Sequence, residues 1–355
     1  MDKPRILVVG SSLKDKGGIV TVIKNIEDSS INDYYILKRI ETYITGSIIK
    51  RFNIFILAIL RLLYALISFR PDIVHIHMSE KGSFYRKTII LIISKIFRKN
   101  VILHIHSASF DEFYNSNNIQ KKFIKFILNR ADKLVVLSKQ WEQYYSNIVP
   151  PQKVSVLYNG VYSLKNEFTR NNPAPVGLFL GRLGQRKGTY DLICSIQELK
   201  EHGINAKFYF AGDGEIDQVK QLIHEYELES VINILGWVDS DQINELLEKV
   251  DFLVLPSYNE GLPMAILESM NFGLPIISTY VGGIPEVIIN NDNGYLINPG
   301  DIDNLTKALT SLLTNKQLRL EMGRKNREII INRFDIQTLM KDLSNIYQNL
   351  IRNQA

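Results

Sequence analysis

Glu260 and Glu268 stand eight positions apart in Pro256-Ser-Tyr-Asn-Glu-Gly-Leu-Pro-Met-Ala-Ile-Leu-Glu-Ser-Met270. Carboxylates accept hydrogen bonds from hydroxyl groups, so two of them close together suit a polyol such as a sugar or a ribose. The preceding run, Val250-Asp-Phe-Leu-Val-Leu-Pro256, has the pattern of a buried strand that stops at a proline. Pro263 fits the first turn of a helix, where its missing N–H would have no partner anyway. Glu260 therefore belongs on a strand-to-helix loop, with Glu268 about two turns into the helix. The backbone from Gly261 through Leu262 and Pro263 would open that helix toward the same space and form a ready anion site. Carboxylates for hydroxyls beside donors for phosphate are what a nucleotide-sugar site needs. Taken alone, the pattern fits equally well an acidic first turn stabilised by the helix dipole beside a solvated glutamate.

Cations follow another strand pattern, in Gly181-Arg-Leu-Gly-Gln-Arg-Lys-Gly188. Arg182 and Lys187 at a strand end could neutralise a diphosphate, although a solvated basic loop is the commoner outcome for such a cluster alone. Gly17 and Gly18 follow the first strand pattern and open a helical one, which suits close approach to phosphate. A full dinucleotide fingerprint is absent there, and a glycine pair is weak evidence by itself, as is Gly212-Asp-Gly214. Four of the six histidines form two alternating pairs, His75/His77 and His104/His106, each pair on one face of its strand. A four-histidine metal cluster lacks supporting carboxylate or cysteine spacing. The better reading makes His75, His77 and His104 structural and leaves His106 at a strand end before Ser107-Ala-Ser109. Asp239-Ser-Asp241 and Asp301-Ile-Asp303 match a two-aspartate metal motif, yet each immediately precedes a helical pattern and reads as an N-cap. No metal site is assigned.

These groups need a scaffold that brings strand ends together. Apolar runs alternate with helix-period segments almost throughout, the mark of an α/β fold with parallel sheets. Strand patterns cover 5–10, 72–77, 101–106, 133–137 and 154–158, then 176–181, 206–211, 231–235, 251–256, 275–279 and 295–297. Tyr162 to Pro175 reads as the connection between two similar doubly wound halves. Open parallel sheets bind ligands outside the carboxyl ends of their strands, and two facing sheets would form a cleft.

A chain of 355 residues is long enough for two domains. Its single cysteine, Cys194, excludes an internal disulfide framework and suits a reducing cytoplasm, and its first apolar run is too short for a signal peptide. Residues 1–165 carry 25 Lys/Arg against 12 Asp/Glu, while residues 166–355 carry 17 against 25. The basic half is therefore expected to meet an anionic partner. Nucleic acid is poorly supported as that partner, because no zinc-finger spacing, RNA-binding aromatic motif or basic heptad is present, and none is assigned.

Over nearly its whole length the chain resembles the GT-B glycosyltransferases of family 4, the group with a Glu-x7-Glu signature. The resemblance is carried by an ordered set: Gly17-Gly18, the strand ending at His106, Asn159-Gly160, Gly181-Arg182…Lys187-Gly188, Gly212-Asp-Gly214, Gly236-Trp237, Glu260…Glu268, Gly282-Gly-Ile-Pro-Glu286 and Asn293-Gly294. Tyr158 departs from it, standing where the family often has proline. The resemblance implies a GT-B fold of two Rossmann-like doubly wound domains facing a cleft. Residues 1–163 would form the acceptor side and 164–335 the nucleotide-sugar side, with 336–355 a final helix crossing back to the first domain. It further implies that Arg182 and Lys187 hold the donor diphosphate, Glu268 the ribose and Glu260 the sugar hydroxyls. Backbone amides after Glu260 would lie near sugar or phosphate, Gly236-Trp237 beside the base, and His106 facing the transferred sugar. The implied reaction is retaining transfer of a hexose-type sugar from a nucleoside diphosphate donor (UDP or GDP) to a glycan or polyprenyl-diphosphate-linked acceptor, with no obligatory cofactor or metal. A nucleotide-sugar epimerase, a Rossmann dehydrogenase and a non-catalytic sugar-nucleotide-binding protein are the competitors.

Residues 47–70 are the most apolar stretch. Lys50, Asn53, Arg61, Tyr64 and Ser68 would form a stripe roughly 80° wide on a helix there. Arg61 would sit near a bilayer centre, which argues against a span. The expectation is a helix packed on the first sheet that also attaches peripherally to the inner face of the cytoplasmic membrane. Lys50, Arg51, Arg70, Lys81, Arg86, Lys87, Lys95, Arg98 and Lys99 would supply the contact to anionic lipid.

Overall fold

The computed structural model describes residues 3–166, 168, 172, 174–204 and 206–352. Of the predicted connection between halves, 167, 169–171 and 173 therefore lie outside the described residues. The chain divides into two compact units, residues 1–160 with 336–355, and residues 161–335.

The first unit runs β1 (Arg5–Gly10), α1 (Gly18–Glu27), β2 (Ile36–Glu41), α2 (Ile48–Ser68), β3 (Ile73–Met78), α3 (Gly82–Ile96), β4 (Asn100–Ile105), α4 (Phe110–Tyr114), α5 (Asn118–Arg130), β5 (Lys133–Val136), α6 (Lys139–Ser146) and β6 (Val154–Val156). Its six strands are all parallel, in the order β2-β1-β3-β4-β5-β6. Strands β3 and β4 are buried along their whole length, as near-continuous Val/Ile/Leu runs under helices on both faces must be. The sequence reading missed β2. It is an edge strand, Ile-Leu-Lys-Arg-Ile-Glu, with its first residues exposed or half-buried, so it carries charge where central strands carry none.

The second unit runs β7 (Val176–Leu180), α7 (Thr189–Glu201), β8 (Lys207–Ala211), α8 (Ile216–Glu225), β9 (Ile232–Gly236), α9 (Ser240–Lys249), β10 (Phe252–Leu255), α10 (Met264–Asn271), β11 (Ile276–Thr279), β12 (Gly294–Ile297), α11 (Ile302–Thr314) and α12 (Lys316–Ile329). Its parallel order is β12-β11-β10-β7-β8-β9. The chain moves from β7 through β8 to β9 on one side, then returns to place β10 against β7. The topological switch point, where open α/β sheets bind ligands, therefore lies between β7 and β10. After residue 335 the chain re-enters the first unit as α13 (Ile336–Arg352).

In the first unit, right-handed crossovers put α2, α3, α5 and α6 on one face of the sheet and α1 with α13 on the other. Ala58, Leu62, Ala65 and Leu66 of α2 pack into a core shared with Leu7, Val74, Val101 and Leu134. On the opposite face, Tyr347 of α13 is fully buried, and its hydroxyl lies 2.7 Å from His75 Nδ1.

Candidate active site

The loops after β7 and β10 flank the switch point of the second sheet and are fastened to each other. Lys187 Nζ forms an ion pair with Glu260 Oε1, and both side chains are largely buried. Ser257 Oγ donates to the same carboxylate oxygen at 2.8 Å. Arg186 adds two contacts: its guanidinium donates to the Asn259 carbonyl at 3.1 Å, and its carbonyl accepts the Tyr258 N–H at 2.9 Å. Gly188 follows with φ +68°, and a Cβ there would stand 2.0 Å from the Pro256 carbonyl oxygen. No other residue type allows the two loops to approach this closely. Gly282 does the same on the far side, because its Cβ would meet the Glu260 carbonyl oxygen at 2.0 Å. Gly283 N–H then donates to Gly261 O at 2.6 Å, and Thr279 Oγ1 to Ser257 O at 2.6 Å.

Of the residues predicted from sequence, Glu260, Gly261, Leu262, Pro263, Lys187 and Arg182 lie on the loops at this edge, and Glu268 lies on the helix that the Glu260 loop opens. Pro263 takes the N-cap of α10, which begins at Met264. Glu268 is therefore one turn into the helix, not two. Glu268 is half-buried, and burial alone pushes its pKa up to about 7. Arg182 is exposed, whereas Lys187 is already committed to Glu260. Gly236 ends β9 with φ +72°, and its carbonyl accepts the Gly212 N–H at 2.7 Å. Trp237 beside it presents an indole that is 46% exposed. Sequence reasoning assigned no part to Ser257, Arg186 or Thr279. Only the Gly282-Gly283 pair carried a visible signal, as one of the landmarks of the resemblance.

In the first unit, Gly17 is the N-cap of α1 with φ +113°, and Gly18 begins that helix. His75, His77, His104 and His106 form a stacked column. His75 Nε2 lies 3.2 Å from His104 Nδ1, and His77 Nδ1 lies 2.9 Å from His106 Nε2. Burial pushes the pKa of His75 and of His106 down to about 3, and that of His77 and His104 well below the usual value. All four are therefore neutral imidazoles at neutral pH. Ligand-capable nitrogens of His75, His77 and His104 lie within 4.8 Å of one another. Both His75 nitrogens are already in hydrogen bonds, whereas His77 Nε2 and His104 Nε2 are buried without a hydrogen-bond partner. The column is held by ring contacts and histidine–histidine hydrogen bonds, with a half-buried His106 at its end. Lys87, read from sequence as a surface cation, is buried instead, with its ammonium on the Thr42 hydroxyl.

Both two-aspartate motifs are caps. Asp239 accepts from the Asp241 and Gln242 amides and completes a capping box, and Asp301 accepts from the Asn304 amide at 3.1 Å.

Comparison with known proteins agrees with this arrangement. The model of the family "glycosyltransferase family 4" matches residues 7–162, and that of "glycosyl transferases group 1" matches 163–329. A putative colanic acid biosynthesis glycosyltransferase, WcaL of Escherichia coli, is 28% identical over 242 residues, which are 63% of this chain and 58% of that protein. The N-acetyl-alpha-D-glucosaminyl L-malate synthase of Bacillus anthracis is 25% identical over 294 residues, 79% of this chain and 76% of that one. Among solved structures, Anabaena Alr3699/HepE in complex with UDP and glucose superposes with a TM-score of 0.76 at 18% identity, covering 97% of this chain and 99% of that one. With two parallel six-stranded sheets of this topology and two adjoining family models, the chain belongs to the group 1, family 4 glycosyltransferases of GT-B fold and is a hexosyltransferase.

Proposed function

We propose that the chain is a retaining enzyme that moves a hexose-type sugar from a nucleoside diphosphate donor, UDP or GDP, to a glycan or polyprenyl-diphosphate-linked acceptor. Its setting would be cell-surface polysaccharide assembly of O-antigen or capsule type. The observation that carries this reading is Glu268, a half-buried carboxyl whose shift arises from burial alone, one turn into the helix that the Glu260 loop opens. A vicinal diol such as a ribose supplies the donors that such a carboxylate needs. The colanic acid relative favours a polysaccharide acceptor, and the HepE complex favours UDP. In this proposal Arg182 and Lys187 stabilise the charge that develops on the leaving diphosphate. Gly17, Gly18, Trp237 and His106 keep the parts that the resemblance gives them.

The test is a thermal-shift screen of UDP, GDP and their sugars, followed by NMR of the product. A ligand about a hundredfold above its Kd adds about 3 kcal/mol of stability. The matching nucleotide should raise the Tm of the wild type and not of Glu268→Ala. The anomeric proton coupling of the product should match that of the donor. No shift with any nucleotide would sink the donor assignment, an inverted product would sink retention, and a changed sugar released without acceptor would identify an epimerase.

A further inference from the structure

Among the described residues, 24 large apolar side chains are exposed, and 15 of them sit on α2, α3 and α5. These three helices cover the same face of the first sheet. Each packs one side inward and turns an apolar arc to solvent. On α2 the arc is Ile49, Phe52, Ile56, Leu60 and Ile67, roughly 80° wide at 100° per residue. Tyr85, Ile89, Ile92 and Ile96 make the arc of α3, and Ile119, Phe123 and Phe126 that of α5. The same three helices hold ten Lys/Arg and no Asp/Glu in their 49 residues. Lys122, Lys125, Phe126, Asn129 and Arg130 line an open pocket on α5, where the Arg130 guanidinium lies 4.6 Å from the centre of the Phe126 ring.

We infer that the outward face of α2, α3 and α5 is a platform that lies on an anionic lipid leaflet, with the three apolar arcs entering the headgroup boundary and the cations meeting lipid phosphates. Helices with an apolar face, a cationic rim and no acidic residue bind in the plane of such an interface. Charge decides against a second copy of the chain as occupant, because two such faces, cationic even without the buried Lys87 and the Lys95 paired to Asp132, would repel. The helix α2 is 21 residues long with a mean hydropathy of 1.8, enough to cross a bilayer by length and composition. Its inner side, however, holds Ala58, Leu62, Ala65 and Leu66 in the core of the first unit, so a folded unit keeps it at the surface. The platform extends the sequence-based expectation to α5 and removes Lys87 from it. It stands whether or not the donor assignment does.

The experiment is flotation of the full chain with vesicles of phosphatidylcholine alone or mixed with phosphatidylglycerol, at low and high salt. Wild type should float with the anionic vesicles at low salt and be released by high salt. The exposed pairs Phe52→Glu/Leu60→Glu and Lys122→Glu/Lys125→Glu should each lower partition by about tenfold or more. Unchanged Tm and unchanged nucleotide binding in these variants would separate loss of the platform from loss of fold or of the donor site. Absence of flotation, or wild-type flotation in both variants, would overturn the inference. Retention through alkaline carbonate would make α2 a span. A dimer in vesicle-free solution that Phe52→Glu/Leu60→Glu dissolves would assign the face to a second copy.

Discussion

Lys187 and Glu260 form a largely buried ion pair that joins the two loops flanking the β7/β10 switch point. The pair holds the only carboxylate on the β10 loop in a fixed position, with Ser257 as second donor. Glu260 can still accept from a sugar hydroxyl through its other oxygen, since a carboxylate has two oxygens and about four acceptor directions. Lys187 thus presents a cation at the switch point whose place does not depend on ligand.

This pairing separates the two cations by experiment. Arg182 is exposed, so Arg182→Ala should leave stability nearly unchanged while lowering kcat by roughly a hundredfold, about 3 kcal/mol of barrier. Lys187→Met should lower turnover similarly and also destabilise the fold by about 3 kcal/mol, because Glu260 is left charged and 6% exposed. The double variant Lys187→Met/Glu260→Gln should recover much of the stability and none of the turnover. Urea midpoints and steady-state rates on the four proteins decide it. A Lys187→Met variant as stable as wild type would mean that the pair contributes nothing.

The histidine column makes the first unit acid-labile. Folded-state pKa values near 3 for His75 and His106, against about 6.5 unfolded, mean that the unfolded chain binds more protons between those limits. Stability is therefore complete above about pH 6.5 and is lost as pH falls, by up to about 1.4 kcal/mol per pH unit for each fully shifted imidazole. Unfolding midpoints from about pH 7 to about pH 5 should fall steeply, and less so in His75→Phe. A flat profile would show that the column is not buried in solution.

Every strand but β2, and the parallel α/β character of both sheets, was legible because near-continuous apolar runs alternate with helix-period segments. The edge strand β2 was not, since exposed Lys38 and half-buried Arg39 break the run that marks a buried strand. In the site, Glu260, Glu268, Arg182 and Lys187 were visible because their types fit phosphate and hydroxyl chemistry at strand ends. The Lys187–Glu260 pairing was invisible, because it joins positions 73 residues apart through a sheet register. Lys87 misled for the opposite reason: it lies among surface cations in sequence, but helical periodicity turns it onto the buried side of α3.

The capping role of the two-aspartate motifs yields a metal prediction. Activity should survive exhaustive EDTA treatment. Asp239→Asn, which keeps an N-cap side chain, should be nearly silent, while Asp239→Ala should cost about 1 kcal/mol of stability and little activity. Strict dependence on manganese or magnesium, lost together with activity in Asp239→Asn, would restore these aspartates as ligands.

Glu268 links donor affinity to pH. Its folded pKa of about 7 lies above the usual 4.5, so the folded state holds a proton that the unfolded state has released between those values. Stability from this group is present below about pH 4.5 and is lost as pH rises through about 7. In the proposed role ribose hydroxyls donate to the ionised form, so binding would release that proton, and affinity would rise with pH until the carboxyl is fully ionised. A nucleotide sugar is the right probe, because its esterified diphosphate does not titrate in this range, whereas a free terminal phosphate would. Calorimetry should show Kd falling by up to about tenfold from about pH 6 to about pH 8, with a proton released per binding event at the low end. Glu268→Gln should bind more weakly and without pH dependence. An equally steep pH dependence in Glu268→Gln would move the titrating group elsewhere and remove Glu268 from the ribose.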